Sequence, residues 1–557
     1  MCFKVLLLAL LIPTAQLFAE CCVQKARAID PAKKYTFDYI IVGDGTAGAI
    51  LARKLSNDKS KSVLVLEWGK NRTNDPVVLS PNVFEFSNTL TYNPKYAINP
   101  IAVVDFPGRP PQQFIYSDGR MWGGSSAHNG LFAVRGTPHV YNRWAAISGN
   151  PIWRYNSLLP IMKNMEDYHP TGTVADLAQR GISGKLAITQ SPPVNQDPFA
   201  IAVAQATGSP LISDYNNPSL GDIGVSAHQQ WITPPGANSH RAFSALAYHP
   251  VGTIVNANGQ GLNGRQLTIR SNALVSRVIF NAQKVAIGVE YWIDGNPAAV
   301  QRAFATKKVI LCAGSLQTSA ILERSGIGNK NILEPLGINT IVDNPNVGEH
   351  FQNHYGVRGM IAGTTSAEPF LQGFIDVRPF MPADGIRRMQ VVARDSSRGV
   401  SISGILLNPK SRGSSHIVDK NPTIYPLVDL NMFSDGSFNQ QGSDAYLVVS
   451  FYKLLKRIAR RYGTEVIFPR PEAYSTDQRL FEITQNLDAL SITYHIVGTA
   501  RMGKSIKDSV VGGNLHVLGV DNLMIADASI QPITEDGNTA YSAFIIGLVA
   551  ARILNAQ

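Results

Sequence analysis

Cysteine is scarce in this 557-residue sequence, which contains only four. Cys2 lies in the leading apolar segment, and Cys21 and Cys22 are adjacent in what we interpret as a loose N-terminal tail. Cys312 lies in the apolar stretch KKVILCAG, and we expect a small core residue there rather than a nucleophile. The odd number of cysteines after the leading segment leaves room for a bridge between chains, and the cysteines do not have the spacing of metal ligands.

Long apolar runs are also missing after the first residues. The run in residues 1–19, MCFKVLLLALLIPTAQLFA, is interrupted by Pro13 and Gln16 and is too short to span a bilayer. It ends at Ala19 as a signal peptide does, so we predict a signal peptide over 1–19 and a protein of the secretory pathway or the cell exterior. We see no later membrane anchor. The one glycosylation sequon, Asn71-Arg-Thr73, makes a glycoprotein possible in that setting.

Several function classes are disfavoured by further absences. The net charge of +10 is spread along the chain, and the longest basic cluster, KLLKRIARR at Lys453–Arg461, has the spacing of a solvated helix face. We therefore expect no nucleic-acid partner. No G-x-S-x-G elbow follows a strand, which argues against a serine hydrolase. The sequence shows neither repeats nor a disordered composition, and its length favours two domains that share an interface.

A nucleotide-binding unit is present near the start of the chain. Phe37–Val42 is a short apolar run typical of a buried strand, and Ala47–Leu55 consists of good helix formers. Between them, Gly43, Gly45 and Gly48 form G-x-G-x-x-G. The first glycine permits the tight turn, the second lets the backbone approach a pyrophosphate, and the third lets the helix pack on the strand. The helix N-terminus would then face the phosphates.

An acidic residue completes this unit. Val63–Leu66 reads as a second buried strand and is followed directly by Glu67. A carboxylate at that place accepts both ribose hydroxyls of an adenosine and repels a 2′-phosphate, so NADP is disfavoured. The combination predicts a real dinucleotide site rather than a simple glycine turn. Asp44 is unexpected inside the glycine loop, and we predict that it points away from the phosphates, with helix capping as a candidate role.

Later segments carry a family resemblance. DGRMWGGSSAHNGLFAVRG, from Asp118 to Gly136, describes a second backbone stretch that passes close to a bulky ligand. Together with LCAGSLQTSAILERSGIG, DNPNVGEHFQNH and the C-terminal run from YHIVGTARMG to NTAYSAFIIGLVAARIL, it makes the chain resemble the glucose-methanol-choline family of FAD-dependent oxidoreductases. The resemblance is collinear from about Phe37 to Leu554.

The resemblance implies an α/β fold in which a Rossmann-like FAD-binding domain is joined to an antiparallel-sheet substrate domain with helices. The FAD-binding domain would comprise residues 36–151, 251–355 and 486–557. The substrate-binding domain would comprise 152–250 and 356–485. Local pattern supports this division at Leu267–Tyr291, which reads as strand, strand, turn, strand.

The resemblance also implies the catalytic residues. It assigns the base to His495 in YHIVGTARMG and its partner to Asn538 in NTAYSAF, as in a His/Asn subset of the family. Two-electron oxidation of an alcohol needs a base for the hydroxyl proton, a donor to the oxygen and an acceptor for the hydride, which here would be the flavin. An electron acceptor such as oxygen or a quinone would then reoxidise it.

The cofactor contacts follow by the same resemblance. His128 stands where choline-oxidase-like members bond the flavin covalently, so covalent attachment is one hypothesis and a hydrogen bond to the flavin or a nearby carbonyl is the other. The complete set of residues expected to hold FAD is Gly43, Gly45, Thr46, Gly48, Glu67, Gly123, Gly124, His128, Asn129, Val275, Asp527 and Ala528.

Alternative functions remain open at this point. The chain also resembles the flavin-binding hydroxynitrile lyases of the same family, in which the flavin is structural, and a catalytically silent structural protein is a third hypothesis. His350 and His354 have the i, i+4 spacing of a metal pair, but the resemblance makes them structural or near the flavin. The sequence identifies neither the alcohol, nor the electron acceptor, nor the oligomeric state.

Overall fold

The computed structural model describes residues 35–82, 89–104, 110–363, 371–375 (backbone) and 387–556. The predicted signal peptide and the cysteines at 21 and 22 lie outside the described residues, so secretion stays a prediction. Within the described residues, two large sheets organise the fold.

The first sheet is built around the predicted nucleotide-binding unit. Its strands are β1 (Tyr35–Val42), β2 (Val63–Leu66), β11 (Leu267–Arg270), β12 (Ala273–Phe280), β13 (Ala286–Ile293), β14 (Val300–Leu311) and β27 (Leu523–Ile525). Their order is β11-β2-β1-β14-β13-β12, with β27 also paired to β14. The pairs among β11, β2, β1, β14 and β27 are parallel, whereas β13 and β12 extend the sheet with antiparallel pairs. All four residues of β2 are buried, as expected for a parallel strand covered on both faces.

The second sheet is entirely antiparallel. Its strands are β9 (Gly224–Ala227), β17 (Tyr355–Ile361), β18 (Leu371–Ile375), β19 (Met389–Ser396), β20 (Gly399–Leu406), β23 (Val466–Phe468) and β24 (Leu490–Ile492). The order is β23-β17-β20-β19-β18-β9, and β24 also pairs with β17. Val357, Ile402 and Val391 are fully buried on one face of this sheet, as the two-residue period of strands requires.

Helices cover these sheets. Their bounds are α1 (Thr46–Leu55), α2 (Pro76–Leu79), α3 (Pro138–Ser148), α4 (Tyr155–Met165), α5 (Pro198–Thr207), α6 (Ser244–Tyr248), α7 (Gly314–Arg324), α8 (Lys330–Leu333), α9 (Asp444–Tyr462), α10 (Asp477–Thr484) and α11 (Ala540–Asn555). α9 packs directly on the second sheet, since a Cβ on Gly404 would come 2.3 Å from the Phe451 ring and one on Gly359 would come 2.2 Å from Leu455.

The remaining described strands form smaller sheets. They are β3 (Ala97–Ile98), β4 (Ile101–Val104), β5 (Gln112–Ile115), β6 (Asp118–Gly119), β7 (Glu166–His169), β8 (Leu186–Gln190), β10 (Gln229–Gln230), β15 (Ile327–Gly328), β16 (Val342–Asp343), β21 (Ser414–His416), β22 (Leu427–Asp429), β25 (Met502–Gly503) and β26 (Val511–Gly512). β4, β5, β21 and β22 form one small sheet, and β7, β8 and β10 form another.

The fold class is the predicted one, whereas the domain boundaries stay a prediction. Two observations bear on those boundaries. Leu158 and Met162 of α4 belong to the same core as β1 and α11, although the family resemblance placed 152–250 in the substrate domain. β24 joins the second sheet, although the resemblance placed 486–557 in the FAD domain. Side-chain burial between distant segments decides such boundaries, and local pattern does not record it.

Two further expectations concern a membrane anchor and the glycosylation sequon at Asn71. No described helix combines the length and the hydropathy needed to cross a membrane. The Asn71 side-chain oxygen accepts hydrogen bonds from the backbone N–H and the hydroxyl of Thr73, at 3.0 and 2.7 Å. Glycosylation at Asn71 stays a prediction.

Candidate active site

A cavity of about 460 Å³ is lined by residues of both large sheets. The first sheet contributes the carboxyl ends of β1 and β2 and the residues directly after β14. The second sheet contributes one face of β17, β19 and β20. Ligands of open α/β sheets bind outside the carboxyl ends of the strands, so this cavity lies where a dinucleotide is expected.

Two glycines of the loop after β1 are required by packing. Gly43 has φ +98°, and a Cβ there would come 2.5 Å from the Cys312 carbonyl oxygen. A Cβ on Gly48 would come 2.0 Å from the Gly43 carbonyl oxygen. Gly48 does not line the cavity but lets α1 pack on β1, which is the structural role predicted for the third glycine.

Gly45 differs from its neighbours because packing does not require it. A Cβ on Gly45 would find its nearest protein atom at 3.8 Å, and the residue faces the cavity at the N-terminus of α1, which begins at Thr46. The missing side chain leaves room for a ligand to approach the backbone, and the first N–H groups of α1 favour a phosphate there.

Glu67 lies at the end of β2, buried and in the cavity wall. Its two carboxylate oxygens accept hydrogen bonds from the backbone N–H groups of Asp44 and Gly69, at 2.8 and 2.6 Å. Burial raises the pKa of Glu67 to about 7, while these N–H groups oppose the rise. Beside it, the Arg120 guanidinium lies 5.2 Å from the Trp68 ring, and both side chains line the cavity.

Asp44 points away from the cavity, as predicted, but it does not cap α1. Its Oδ1 lies 2.9 Å from Nε2 of His249, and both side chains are fully buried. The N-cap of α1 is Gly45, with no side-chain cap bond. The capping prediction was wrong because a buried histidine far along the chain supplies a better partner than the helix end.

The second glycine-rich segment meets the first loop. A Cβ on Gly124, which has φ +50°, would come 2.7 Å from Cα of Gly45, so the two loops touch at the cavity. Gly123 is not among the residues that line the cavity, and its contact with the cofactor stays a prediction. It has φ +90°, and a Cβ there would come 2.7 Å from the Phe243 ring, so packing requires this glycine.

His128 and Asn129 follow this segment and line the cavity. Nε2 of His128 lies 3.0 Å from the Ser117 hydroxyl. Burial and the nearby charge of Arg241 lower the pKa of His128 to about 3, while a hydrogen bond to the Leu90 carbonyl opposes the shift, so the ring is neutral at ordinary pH. Covalent attachment of the flavin here stays a hypothesis.

The middle and C-terminal segments supply the remaining predicted contacts. Val275 in β12 and Asp527 and Ala528 after β27 all line the cavity. Asp527 accepts hydrogen bonds from the Gly314 N–H and the Thr318 hydroxyl at the start of α7, at 3.1 and 2.6 Å. These hydrogen bonds connect the segment after β27 to α7, which follows β14. Because β14 and β27 are parallel neighbours, both segments begin at the same edge of the first sheet.

The two predicted catalytic residues meet in the cavity wall. The Asn538 amide nitrogen lies 3.2 Å from Nε2 of His495. The Asn538 oxygen accepts a hydrogen bond from the Gln390 amide on β19 at 3.2 Å. On the other side of the ring, Nδ1 of His495 lies 2.9 Å from Nδ1 of His354, whose Nε2 lies 3.0 Å from the Thr534 hydroxyl.

This hydrogen-bond chain determines the tautomer of His495. With the amides oriented as the network assigns them, Asn538 donates to Nε2 of His495, so Nε2 is the bare acceptor. The ring proton then lies on Nδ1 and is donated to His354. Burial, reinforced by the neighbouring His354 ring, holds the pKa of His495 well below its ordinary value. The imidazole is therefore neutral, and the lone pair of Nε2 accepts the Asn538 N–H at the cavity wall.

The first histidine of the EHFQNH segment, His350, is separate from this hydrogen-bond chain. Nε2 of His350 lies 3.3 Å from the Asn346 oxygen, whereas His354 contacts His495. No cluster of three or more potential metal-ligating side chains occurs in the part of the chain that the structure describes. His350 and His354 therefore contact different side chains.

Comparison with known proteins identifies the family. Two GMC oxidoreductase profiles match residues 37–238 with 254–356, and residues 409–547. The chain belongs to the GMC oxidoreductase family. An oxygen-dependent choline dehydrogenase of Escherichia coli O157:H7 is 29% identical, over 92% of this chain and 93% of that protein.

Solved structures agree in fold. Pyridoxine 4-oxidase from Mesorbium loti matches with a TM-score of 0.77 and 24% identity, over 94% of this GMC oxidoreductase and 99% of that chain. A variant of Aspergillus oryzae formate oxidase matches with a TM-score of 0.80 and 22% identity, over the same shares of the two chains. At these identities the likeness shows the fold alone.

The cofactor of this GMC oxidoreductase is FAD, and the cavity residues fit it. The open space at Gly45 and the N-terminus of α1 suit the pyrophosphate. Glu67 is placed at the end of the second strand, where it would hold the adenosine ribose. At the other end, His495 and Asn538 border the same cavity, which leaves that end for the flavin ring and the substrate.

Sequence reasoning missed the role of His354, which lies behind His495, and several residues that line the cavity. His354 was noted only as structural or near the flavin, although it contacts His495. Gln390 carried no signal, because neither its type nor its neighbours distinguish it until β19 is placed beside Asn538. Arg358 and Arg394 in the second sheet also line the cavity and belong to no quoted motif.

Proposed function

We propose that this oxidoreductase oxidises the CH–OH group of a small-molecule alcohol to an aldehyde or ketone. Oxygen or another acceptor such as a quinone would take the electrons afterwards. The observation that supports this most directly is the convergence of a bare, neutral imidazole nitrogen and an amide N–H donor in the wall of the FAD cavity, 3.2 Å apart.

Each side chain has a defined task in this reaction. When the alcohol binds, its hydroxyl group replaces the Asn538 N–H at the Nε2 lone pair of His495 and gives its proton to Nε2, while Asn538 donates a hydrogen bond to the oxygen as negative charge develops there. His354 accepts the Nδ1–H bond and so keeps Nε2 available for the proton. Gln390 holds the Asn538 amide in the orientation that directs its NH₂ group at His495. When bound, FAD supplies the acceptor for the hydride that leaves the carbinol carbon.

Known relatives support the reaction class. The Escherichia coli protein is named a choline dehydrogenase, and choline is an alcohol. The names of the structural neighbours include a pyridoxine oxidase and a formate oxidase, so the fold alone does not select the donor. The alcohol assignment therefore depends on the arrangement of His495 and Asn538.

The test is anaerobic mixing of the FAD-loaded enzyme with a panel of alcohols and with their methyl ethers as matched controls. We expect the visible absorption of the oxidised flavin to bleach with some alcohols and with none of the ethers. Cleavage of a cyanohydrin without bleaching would instead identify a hydroxynitrile lyase, and silence toward both substrate classes would identify an inactive structural protein.

A further inference from the structure

The second sheet turns one face toward the FAD cavity. In the register of β17, β20 and β19, Arg358 stands opposite Ser403, and Ser403 stands opposite Val392. Two residues away on each strand, Ser401 stands opposite Arg394. Residues directly opposite in antiparallel strands share a face, and all of these residues line the cavity. The strand period therefore directs two arginines into the cavity.

Small residues separate these arginines. Ser401 and Ser403 on the middle strand leave space between the long side chains of Arg358 on β17 and Arg394 on β19. The opposite face of the same strands is apolar and packs against α9. On the face that lines the cavity, the two serines of β20 therefore lie between an arginine on β17 and an arginine on β19.

Neither guanidinium has a partner in the described part of the chain. Arg394 is half-buried and Arg358 is exposed to the cavity, and among the described residues no hydrogen bond or ion pair reaches either side-chain head. Burial lowers the pKa of Arg394, and the nearby charge of Arg358 lowers it further. Two like charges that share a partly desolvated space repel each other, and an anion between them relieves that repulsion.

The acidic residues that line the cavity belong to the half opposite the two arginines. Glu67, Asp118 and Asp527 line the end where the dinucleotide is expected. In the half formed by β17, β19, β20 and the segment from Ser491 to His495, none of the described lining residues is acidic. The two ends of the cavity therefore differ in charge, and the substrate half is cationic.

We propose that Arg358 and Arg394 bind a carboxylate carried by the alcohol substrate, so that this enzyme oxidises hydroxy acids rather than neutral or cationic alcohols. This inference rests on the proposed alcohol oxidation. Guanidinium groups bind carboxylates through paired, charge-assisted hydrogen bonds. The carboxylate is not changed in the reaction: the CH–OH carbon loses a hydride, its oxygen loses a proton to His495, and the charge only anchors the distant end.

The strand spacing gives the length of the substrate. Gln390 contacts Asn538, and Arg394 lies four residues further along β19. At about 3.3 Å per residue, the two Cα atoms are about 13 Å apart. Because an arginine side chain can reach several ångströms back along the sheet, a hydroxyl group and a carboxylate separated by roughly 10 Å fit this arrangement.

The test compares ω-hydroxy carboxylates of increasing chain length with their primary amides. Binding of the matching unhydroxylated carboxylates and amides is measured separately by calorimetry, which does not depend on turnover. We expect the best carboxylate to bind roughly tenfold or more tightly than its amide, and the preference to shrink with salt. Arg358→Gln and Arg394→Gln should each remove most of the preference, raising KM for the hydroxy acid with little change in kcat.

The matched control is Arg398→Gln. Arg398 is an exposed residue of the β19–β20 turn and does not line the cavity, so its replacement removes one charge from the same hairpin without touching the site. Equal affinity of the wild-type enzyme for carboxylate and amide overturns the inference, and so does an equal loss of preference in all three variants. If no alcohol bleaches the flavin while carboxylate binding still depends on the two arginines, the proposed oxidation fails and the anion site stands.

Discussion

The proton state of the His495 residue determines when the proposed base is available. Burial and the adjacent His354 ring lower its pKa well below the ordinary value, so the imidazole stays neutral through the neutral range and becomes protonated only on acidification. We therefore predict that kcat/KM for the alcohol is constant above about pH 6.5 and decreases only below it. A pH profile of kcat/KM checks this, and a rise in rate through pH 7 to 8 would contradict the assignment of His495 as the base.

A second prediction concerns the residue that orients this base. His354→Phe removes the acceptor for the Nδ1–H of His495, so the tautomer with a bare Nε2 loses its support. We expect kcat to decrease roughly 10- to 100-fold with a smaller change in KM. His350→Gln, in the same segment but bonded to Asn346, is the control and should retain activity. Equal losses in the two variants would mean that His354 acts only in folding.

His128 allows a chemical test at a single residue. Its neutral, buried ring lies in the cavity wall, where one hypothesis places a covalent bond from the ring to the flavin. We predict that acid precipitation of the loaded enzyme leaves the yellow colour in the pellet, and that His128→Asn releases it into the supernatant. Colour that stays in solution with the unaltered protein would show that His128 only forms hydrogen bonds.

At the scale of elements, different glycines of the loop between β1 and α1 serve packing and ligand binding. Gly45→Ala places a methyl group where the nearest protein atom is 3.8 Å away, so the fold should be retained while the approach of the pyrophosphate is blocked. We expect the melting temperature of the flavin-free protein to change little and the FAD content to fall strongly. Flavin absorbance per protein and calorimetric melting measure the two effects.

Gly43→Ala is the matched control for that loop. Its new Cβ would meet the Cys312 carbonyl oxygen at 2.5 Å in a backbone with φ +98°, so the flavin-free protein itself should be destabilised. If Gly45→Ala retained full FAD content, or if it melted as early as Gly43→Ala, the placement of the pyrophosphate at Gly45 would be wrong.

The same elements show how far the sequence could be interpreted. The strand over Phe37–Val42, the helix over Ala47–Leu55 and the strand over Val63–Leu66 were predicted, because periodicity and glycine spacing record local geometry, and the structure contains β1, α1 and β2 there. His354 and His495 are 141 residues apart, and Gln390 and Asn538 are 148 apart. Contacts at such separations depend on strand pairing, which no local pattern encodes.

The second sheet gives the clearest example of this limit. Arg358 and Arg394 look like ordinary charged strand residues in the sequence. Only the register of β17, β20 and β19 shows that they share a face with Gln390 and that this face lines the cavity. The substrate half of the site could not have been predicted before the strands were paired.

At the scale of the whole molecule, the two sheets form one site with complementary tasks. The first sheet presents the glycine loop and Glu67 at the end expected to hold the dinucleotide, and the second presents Gln390 and the arginines at the end proposed for the substrate. His495 and Asn538 follow the last strand of the second sheet and the last strand of the first, respectively, so the reacting groups meet only when both sheets are in place.

The most direct test of this account is the rate constant for anaerobic flavin bleaching by one oxidisable alcohol, measured in the wild-type enzyme and in His495→Gln. If Nε2 of His495 takes the hydroxyl proton, the rate constant should decrease by about 10² to 10⁴ in the variant, while its flavin content and melting temperature stay unchanged. Bleaching at the wild-type rate by a fully loaded His495→Gln variant would contradict the central role given to this histidine.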